Sequence, residues 1–506
     1  MYRRKGMTIH DKAYWQELAS RLQPTTQAFI NGEFVASRDG ATLSAYNPAT
    51  GQVLAEVTAC GSVDIDRAVQ AAHRTFEAGD WSRCPPLERK RVLLRFASLI
   101  DTHAEELALL QTLEMGKPIA DSLAFDLPET VRCVAWYAEA IDKQYDEIAP
   151  TGEDVHATIT REPLGVVAAV VPWNFPLMIA AWKFAPALAM GNSIVLKPAE
   201  ASSLSALRLA ALAKEAGLPD GVFNVTPGHG AVAGEALGMH PQVDALAFTG
   251  STATGKRFMR YSSESNLKRV WLECGGKSPH LVFADCPDLD AAAQAAAAAI
   301  FTNQGEVCIA GSRLYVEETI FDDFLPRLIA AARDMPAGDP LDPATRMGAL
   351  VSAAHHAKVL KYIEQGLSEG MTLHHGGRHA SPVEGGWYVE PTILEGGQTA
   401  TSMREEIFGP VLGLGRFSSE AEAITLANDS IYGLGAGLWT SDLGRAHRVS
   451  KRLQAGLVWV NCYADGDISV PFGGVKQSGF GRDKSLHALD KYSDLKTTWF
   501  NLAYSR

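Results

Sequence analysis

Gly165-Val166-Val167-Ala168-Ala169-Val170-Val171 is the stretch that decides the fold. With no polar side chain it leaves no face that prefers water, so a strand here is expected to be buried on both sides, as the inner strands of a parallel sheet are. Working outward, residues 182–189 have a helical pattern and residues 193–196 read as the next strand. Val222-Phe223-Asn224-Val225 and Ala245-Leu246-Ala247-Phe248 repeat the theme. Strand and helix in alternation predict a parallel α/β sheet. Upstream, residues 28–57 alternate apolar and polar side chains around Asn31-Gly32 and Pro48-Ala49-Thr50-Gly51, which predicts short strands and hairpins. From Ser62 to about Gln144 the period turns helical, with helices opening at Val63-Asp64-Ile65 and Pro86-Leu87 and a third over residues 103–114.

Downstream, a second α/β section is expected after Asp285, with strands at residues 314–316, 348–350, 411–414, 438–439 and 457–460. Helices at 320–333 and 353–369 lie between them, and the Ala-rich tract 291–300 reads as a buried helix. The boundary between the two sections is expected near residues 275–279, with the first sheet receiving nothing after it except through the C-terminal tail.

At 506 residues the chain is too long for one core, and 46% apolar with 21% charged residues is an ordinary globular balance. A net charge of -12 argues against nucleic acid or an anionic membrane as the main partner and leaves a small molecule as the default. No apolar run is long enough to span a bilayer. The seven cysteines, at positions 60, 84, 133, 274, 286, 308 and 462, form no CxxC pair. Their odd number suits free thiols in a reducing cytoplasm rather than disulfides, and no metal site is expected. The opening MYRRKGMTIH has no apolar segment of the secretory kind, and Met7 is an alternative start.

Several loops carry candidate chemistry. Phe301-Thr302-Asn303-Gln304-Gly305-Glu306-Val307-Cys308-Ile309-Ala310-Gly311-Ser312-Arg313 presents Cys308 between small-residue turns, as a nucleophile would be, although a lone cysteine also packs as a small hydrophobe. The run from Phe248 through Gly250 and Ser251 to Gly255 joins a predicted strand to a helix near Lys256. Free N–H groups there favour a phosphate, and a turn that only caps the helix fits the pattern as well. Lys197 and Glu200 lie just past a strand end, where open α/β sheets bind ligands; a carboxylate there accepts ribose hydroxyls and repels a 2′-phosphate. A solvated surface pair is the alternative for these two. Pro172-Trp173-Asn174-Phe175-Pro176 makes a rigid corner that presets the Asn174 amide as an oxyanion donor, and Glu273 before Gly275-Gly276 stands at a loop mouth, as a general base requires.

Together these segments resemble the aldehyde dehydrogenase superfamily from about Phe29 to Trp499. The motifs are PWNFP at 172–176, KPAE at 197–200, FTGS at 248–251, LECGGKSP at 272–279, NQGEVC at 303–308, EEIFGPV at 405–411 and PFGG at 471–474. The resemblance implies a Rossmann-like NAD-binding domain (1–145 and 164–275), an α/β catalytic domain (276–482) and a β oligomerisation arm (146–163 and 483–506) in a homodimer or homotetramer. It implies Cys308 as nucleophile, Asn174 with the Cys308 N–H as oxyanion donors and Glu273 as the base that hydrolyses the thioester. Trp173, Lys197, Glu200, Gly250, Ser251, Glu406 and Phe408 would hold NAD, which Glu200 favours over NADP. Cys274 stands where many relatives have Leu, which implies a packing thiol, and one extra residue near Cys286-Pro287 implies a surface turn.

Within that superfamily the chain resembles the bacterial γ-glutamyl-γ-aminobutyraldehyde dehydrogenase type of putrescine catabolism, through WYAEAID at 136–142, CPDLD at 286–290 and YADGD at 463–467. Asp126, Asp465 and Asp467 are expected to ring the substrate mouth with negative charge, with Trp182 and Tyr463 as aromatic walls, which suits a cationic ω-amino or guanidino aldehyde; these Asp residues equally fit surface turns. The alternatives are a broad-specificity aliphatic or hydroxy-aldehyde enzyme, a CoA-acylating relative, against which Glu273 argues, and a non-catalytic NAD-binding structural protein on the same fold.

Overall fold

The computed structural model describes residues 10–503, so the choice between Met1 and Met7 lies outside the described residues. The strand Val166–Val170 is wholly buried and central to an eight-stranded sheet. Across that sheet lie, in order, Glu33–Val35, Ala28–Ile30, Phe223–Val225, Ser193–Lys197, Val166–Val170, Ala245–Thr249, Arg269–Glu273 and Gly479–Phe480. The five strands from Phe223–Val225 to Arg269–Glu273 run parallel, as expected. Side-chain alternation explains the apolar runs. Val167, Ala169, Ile194, Leu196, Ala245 and Ala247 pack into a core on one face, while Val166, Ala168, Val170, Val195, Leu246 and Phe248 pack into a core on the other. Helix Ser62–Ala78 covers the second face with Ile65, Ala68, Val69 and Ala72, and helices Pro86–Thr102, Leu127–Ala140 and Pro176–Ala189 cover the first. The Asn31-Gly32 turn closes the expected hairpin between Ala28–Ile30 and Glu33–Val35, and a second hairpin pairs Thr42–Asn47 with Gln52–Thr58.

The second sheet has seven strands, in the order Thr372–His375, Thr392–Glu395, Val411–Phe417, Arg313–Glu317, Pro279–Val282, Gly435–Trp439 and Leu457–Val460, all parallel but the first. Residues 348–350, expected as a strand, form none. Their N–H groups are already taken: Gly348 donates to the Gln304 side chain at 2.9 Å, Ala349 to the Gly116 carbonyl at 3.1 Å and Leu350 to the Trp387 carbonyl at 2.8 Å. The segment buttresses the thiol loop instead of joining a ladder. Pro279–Val282, unremarked in the sequence, is an inner strand. The first sheet also draws Gly479–Phe480 from beyond the expected boundary, where it pairs antiparallel with Leu272 and Glu273.

The third sheet stands apart from both. Ser493–Asn501 pairs along its whole length with Val155–Pro163, which also holds Glu147–Ile148. Leu495 and Trp499 are exposed on it at 60% and 62%. Asn192 ties this extension to the first sheet: its Oδ1 accepts from the Leu164 and Gly165 N–H groups at 2.8 and 3.0 Å, while its Nδ2 donates to the Ala187 and Tyr492 carbonyls at 3.0 and 2.8 Å. All its hydrogen-bonding capacity is used and the residue is fully buried. Asn192→Ala, which strands these groups, is expected to cost about 3 kcal/mol, read as a lower midpoint of unfolding in urea; an unchanged midpoint would refute the tie.

Candidate active site

The chain runs outward from Val166–Val170 to Ser193–Lys197 and Phe223–Val225, then returns to Ala245–Thr249 on the other side. At such a switch point the helical connections part to opposite faces and leave a crevice beyond the strand ends. Trp173 and Asn174 project from one side of it and Gly250 and Ser251 from the other. The Trp173 ring meets the Phe408 ring edge-on at 5.4 Å and lies 5.6 Å from the His355 ring. Phe408 is held at φ +63°, and its carbonyl accepts from His355 Nε2 at 2.6 Å. Burial drives the His355 pKa down to about 4, so the imidazole is neutral at pH 7 and its Nε2–H is the donor.

The thiol loop follows helix Leu289–Phe301. Asn303, Gln304 and Gly305 take successive positive φ values of 52°, 58° and 73°, a conformation that side-chain-bearing residues avoid unless held. Here they are held. Asn303 Nδ2 donates to the Asn174 and Glu306 carbonyls, both at 3.3 Å, and Asn174 Nδ2 donates to the Glu306 carbonyl at 2.8 Å. Asn174, 2% exposed, thus grips the backbone two residues before Cys308, and its Oδ1 has no partner. Tyr463 grips it one residue after, through its hydroxyl to the Ile309 carbonyl at 2.7 Å. Cys308 itself is partly open to solvent. Surrounding protein, then the carboxylates of Glu406 and Glu273, push its pKa up to about 12, while the N–H groups of Ile309 and of Cys308 itself face the sulfur and pull the other way. Those two donors can also receive an oxyanion.

Glu273 ends its strand at 4% exposure with neither carboxyl oxygen hydrogen-bonded. Burial, then the charge of Asp483, raise its pKa well above the carboxylate range, against Lys183, Lys491 and Arg482. Gly473, at φ +153°, passes so close that a Cβ there would lie 2.7 Å from Glu273 Oε1. Next to it, buried Asp483 is ion-paired to both Lys183 and Lys491. Burial disfavours its charge, but the two ammonium groups hold its pKa below the usual value. Glu273 therefore has a raised proton affinity beside an ionised neighbour.

The crevice fits a dinucleotide. Lys197 Nζ spends one donor on the Pro198 carbonyl and lies 3.8 Å from Glu200 Oε2, whose other oxygen accepts from the Gly230 N–H at 2.7 Å. Burial alone would raise the Glu200 pKa, yet Lys197 and that N–H hold it low, so a carboxylate stands ready for hydroxyls. Ser251 caps helix Thr252–Glu264, leaving a helix N-terminus for a phosphate, and Thr249 Oγ1 is buried without a partner. Glu406 accepts from the Gly276 N–H at 2.8 Å, and a Cβ on Gly275 or Gly276 would collide with the Glu406 carboxylate or the Cys308 carbonyl. The glycine pair is what lets Glu273, Glu406 and Cys308 meet.

The expected acidic mouth is corrected. Asp126 is 1% exposed and ion-paired to Lys117, an interior lysine that needs a counter-charge, so it faces no substrate path. Tyr463 is a buttress of the thiol loop, packed on His280 and Trp459 at 4.8 and 4.9 Å, rather than a free wall. Asp467 is ion-paired to Arg132 and accepts from Ser469, and Asp465 is exposed. Trp182 does stand against Phe472, at 4.9 Å.

The aldehyde dehydrogenase family profile matches residues 34–498. The chain belongs to the aldehyde dehydrogenase family. It is 56% identical over 98% of its length to the NADP/NAD-dependent aldehyde dehydrogenase PuuC of Escherichia coli, all of which is covered. Among solved structures, a γ-glutamyl-γ-aminobutyraldehyde dehydrogenase from Burkholderia cenocepacia is 54% identical, with a TM-score of 0.96 over 97% of this chain and all of that one. A mutant indole-3-acetaldehyde dehydrogenase from P. syringae in complex with NAD+ and IAA is 53% identical, with a TM-score of 0.96 over 98% of this chain and all of that one.

Lys183, Lys491, Asp483, Glu306, Asn303 and His355 went unread in the sequence. Lys183 had a signal, as the one charge in the apolar helix Pro176–Ala189; the others, His355 in helix Ala353–Ser368 among them, sit in polar segments where nothing local marks them. Cys274 packs beneath helix Thr252–Glu264 at 4% exposure, as expected. Carboxamidomethylation of Cys308 is expected to speed about tenfold per pH unit between about pH 7 and 9, since the thiolate fraction grows so below a pKa of about 12. Glu406→Gln should speed it several-fold at fixed pH. Peptide mass spectrometry resolves Cys308 from the other thiols, and a flat pH profile would contradict the assignment.

Proposed function

We propose that this aldehyde dehydrogenase oxidises ω-aminoaldehydes, γ-glutamyl-γ-aminobutyraldehyde among them, to carboxylic acids through a thioester on Cys308. What supports the chemistry is that the Glu273 carboxyl acts on Cys308 across the Gly275-Gly276 corner while Asn174 holds the backbone two residues before the thiol. Ionised Cys308 adds its sulfur to the carbonyl carbon, and the C=O electron pair moves to oxygen, received by the Asn174 amide and the Cys308 N–H. NAD, when bound, supplies the acceptor for the hydride released as the C=O bond re-forms. The acyl group is then a thioester on Cys308. Glu273 takes a proton from water, the resulting hydroxide adds to the acyl carbon, and the carbon–sulfur bond breaks to return the thiolate and free the acid. Trp173 and Phe408 would flank the nicotinamide and Glu406 its ribose; Lys197 and Glu200 would hold the adenosine ribose, and Gly250 with Ser251 the pyrophosphate. The Glu200 carboxylate supports NAD over NADP.

The activities for which two relatives are named support the aminoaldehyde class: an aminoacetaldehyde dehydrogenase of Pseudomonas aeruginosa at 50% identity, and the γ-glutamyl-γ-aminobutyraldehyde enzyme. The three-part division into 1–145 with 164–275, 276–482, and 146–163 with 483–506 gives cofactor, thiol and assembly separate supports. Leu495 and Trp499 on the third sheet support a homodimer or homotetramer. A catalytic thiol supports a reducing cytoplasm.

The deciding experiment is an aldehyde panel read by NADH absorbance. Cys308→Ala is expected to abolish NADH formation. Asn174→Ala should lower kcat about 10²–10³-fold, the usual loss for one oxyanion donor. Glu273→Gln should release one NADH per site and then stop. Because burial and Asp483 raise the Glu273 pKa, its base form accumulates only above the ordinary carboxylate range, so hydrolysis of the thioester should speed as pH rises. Retained turnover in Glu273→Gln would sink the base assignment. For assembly, Leu495→Asp with Trp499→Asp should lower the sedimenting mass; an unchanged mass would exclude the third sheet as the contact.

A further inference from the structure

The aromatic path outside the thiol ends in charges of both signs. Phe175, next to Asn174, faces Phe125 with ring centroids 6.4 Å apart, and Phe125 is 45% exposed. The π-helical turn Ser122–Asp126 runs directly into helix Leu127–Ala140, so Phe125, Glu129 and Arg132, four and then three residues apart, lie along one face. That face leads from the ring beside Asn174 out to solvent. Arg132 lies 3.6 Å from Glu129 and is ion-paired to Asp467 from the opposite loop. On the other wall, Trp182 packs on Phe472, and Lys484 holds its ammonium 5.7 Å from the centre of the Trp182 ring. Lys484 is only 8% exposed, and among the described residues no carboxylate lies within ion-pairing distance of it. Burial lowers its pKa, and Glu129 and Asp467, near but not in contact, pull the other way against Arg132.

A buried ammonium without a counter-ion is costly unless a ligand supplies one. The mouth thus has two carboxylates, both within ion-pairing distance of Arg132, and one further cation, Lys484, which is not the acidic ring a simple cation wants. We propose that Glu129, Arg132, Asp467 and Lys484 form a subsite for a zwitterionic α-amino acid head at the far end of the aldehyde, resting on the aminoaldehyde reading above. Lys484 takes the α-carboxylate and Glu129 the α-ammonium, while Arg132 and Asp467 hold Glu129 in place and keep the rim neutral. The aromatic pairs Phe125/Phe175 and Trp182/Phe472 enclose the chain between head and carbonyl. The ligand class is a γ-linked glutamyl amide aldehyde, whose two charges share one carbon.

The test is kcat/KM for four aldehydes: γ-glutamyl-γ-aminobutyraldehyde, the same amide without its α-carboxylate, the same amide without its α-amino group, and hexanal. The zwitterion is expected to exceed each singly charged analogue by about tenfold, one close ionic contact, chiefly through KM. Lys484→Met should erase its advantage over the analogue lacking the carboxylate, Glu129→Gln its advantage over the analogue lacking the amine, and Lys484→Arg should restore most of the first. Equal rates for the zwitterion and the amine-only analogue in the wild type, or one common loss on all four substrates in Lys484→Met with none regained in Lys484→Arg, would overturn the subsite. If no charged aldehyde surpasses hexanal, the aminoaldehyde reading itself fails, an outcome distinct from failure of the head subsite alone.

Discussion

Burial of Val166–Val170 and its parallel neighbours on both faces is the constraint from which the rest of the molecule follows. A strand with apolar contacts above and below has no lateral position for a charge, so every polar group the chemistry needs must come from a strand end or from a loop laid over it. Asn174, Lys197, Ser251 and Glu273 all stand at or just past such ends. The second sheet has the same construction and sends back the Cys308 loop and Glu406. Contact between the two sets requires backbone without side chains, which Gly275-Gly276 supply on one side and Gly473 on the other.

Bringing carboxyl groups into that seam has an electrostatic consequence. Glu273, Glu306 and Asp483 are all essentially inaccessible to water, and the fold treats them in three ways. Asp483 has two lysines and stays ionised. Glu306 has the Val351 N–H and the Gln304 amide, which do not offset burial, so its pKa is raised and it serves as a hydrogen-bonded strut under the thiol loop. Glu273 has no hydrogen bond and feels Asp483 besides, so its pKa is raised too, but its oxygens are free for a reactant. Only the last arrangement leaves a carboxyl able to exchange a proton with something that enters.

The parallel sheet, the hairpin at Asn31-Gly32 and the site loops were legible because each depends on local signals: period, turn residues, and polar side chains at strand ends. What could not be read depends on partners distant in sequence. Residues 348–350 have the composition of a strand, but Gln304, Gly116 and Trp387 take their N–H groups before a ladder can. Asp126, expected at the substrate mouth or in a surface turn, is instead the buried partner of Lys117. Lys183 and Asp483 are 300 residues apart, and neither has meaning without the other. Gly479–Phe480 joins the first sheet because the loop that crosses Glu273 must anchor somewhere, and the free edge of Arg269–Glu273 is the nearest ladder. Periodicity carries no information about such closures.

Charge acts on two length scales at the mouth. The net charge of -12 attracts cations from a distance, but at physiological salt that field fades over about 8 Å and cannot tell one aminoaldehyde from another. Discrimination must come from groups that touch the ligand after water has left, where an unmatched charge is penalised rather than ignored. Lys484 is such a group: set against Trp182 and short of a counter-ion, it gains nothing from an incoming ammonium and much from a carboxylate. An acidic surface that gathers cations and a recessed ammonium that repels those lacking an anion are not in conflict. In sequence they select a ligand that carries both charges.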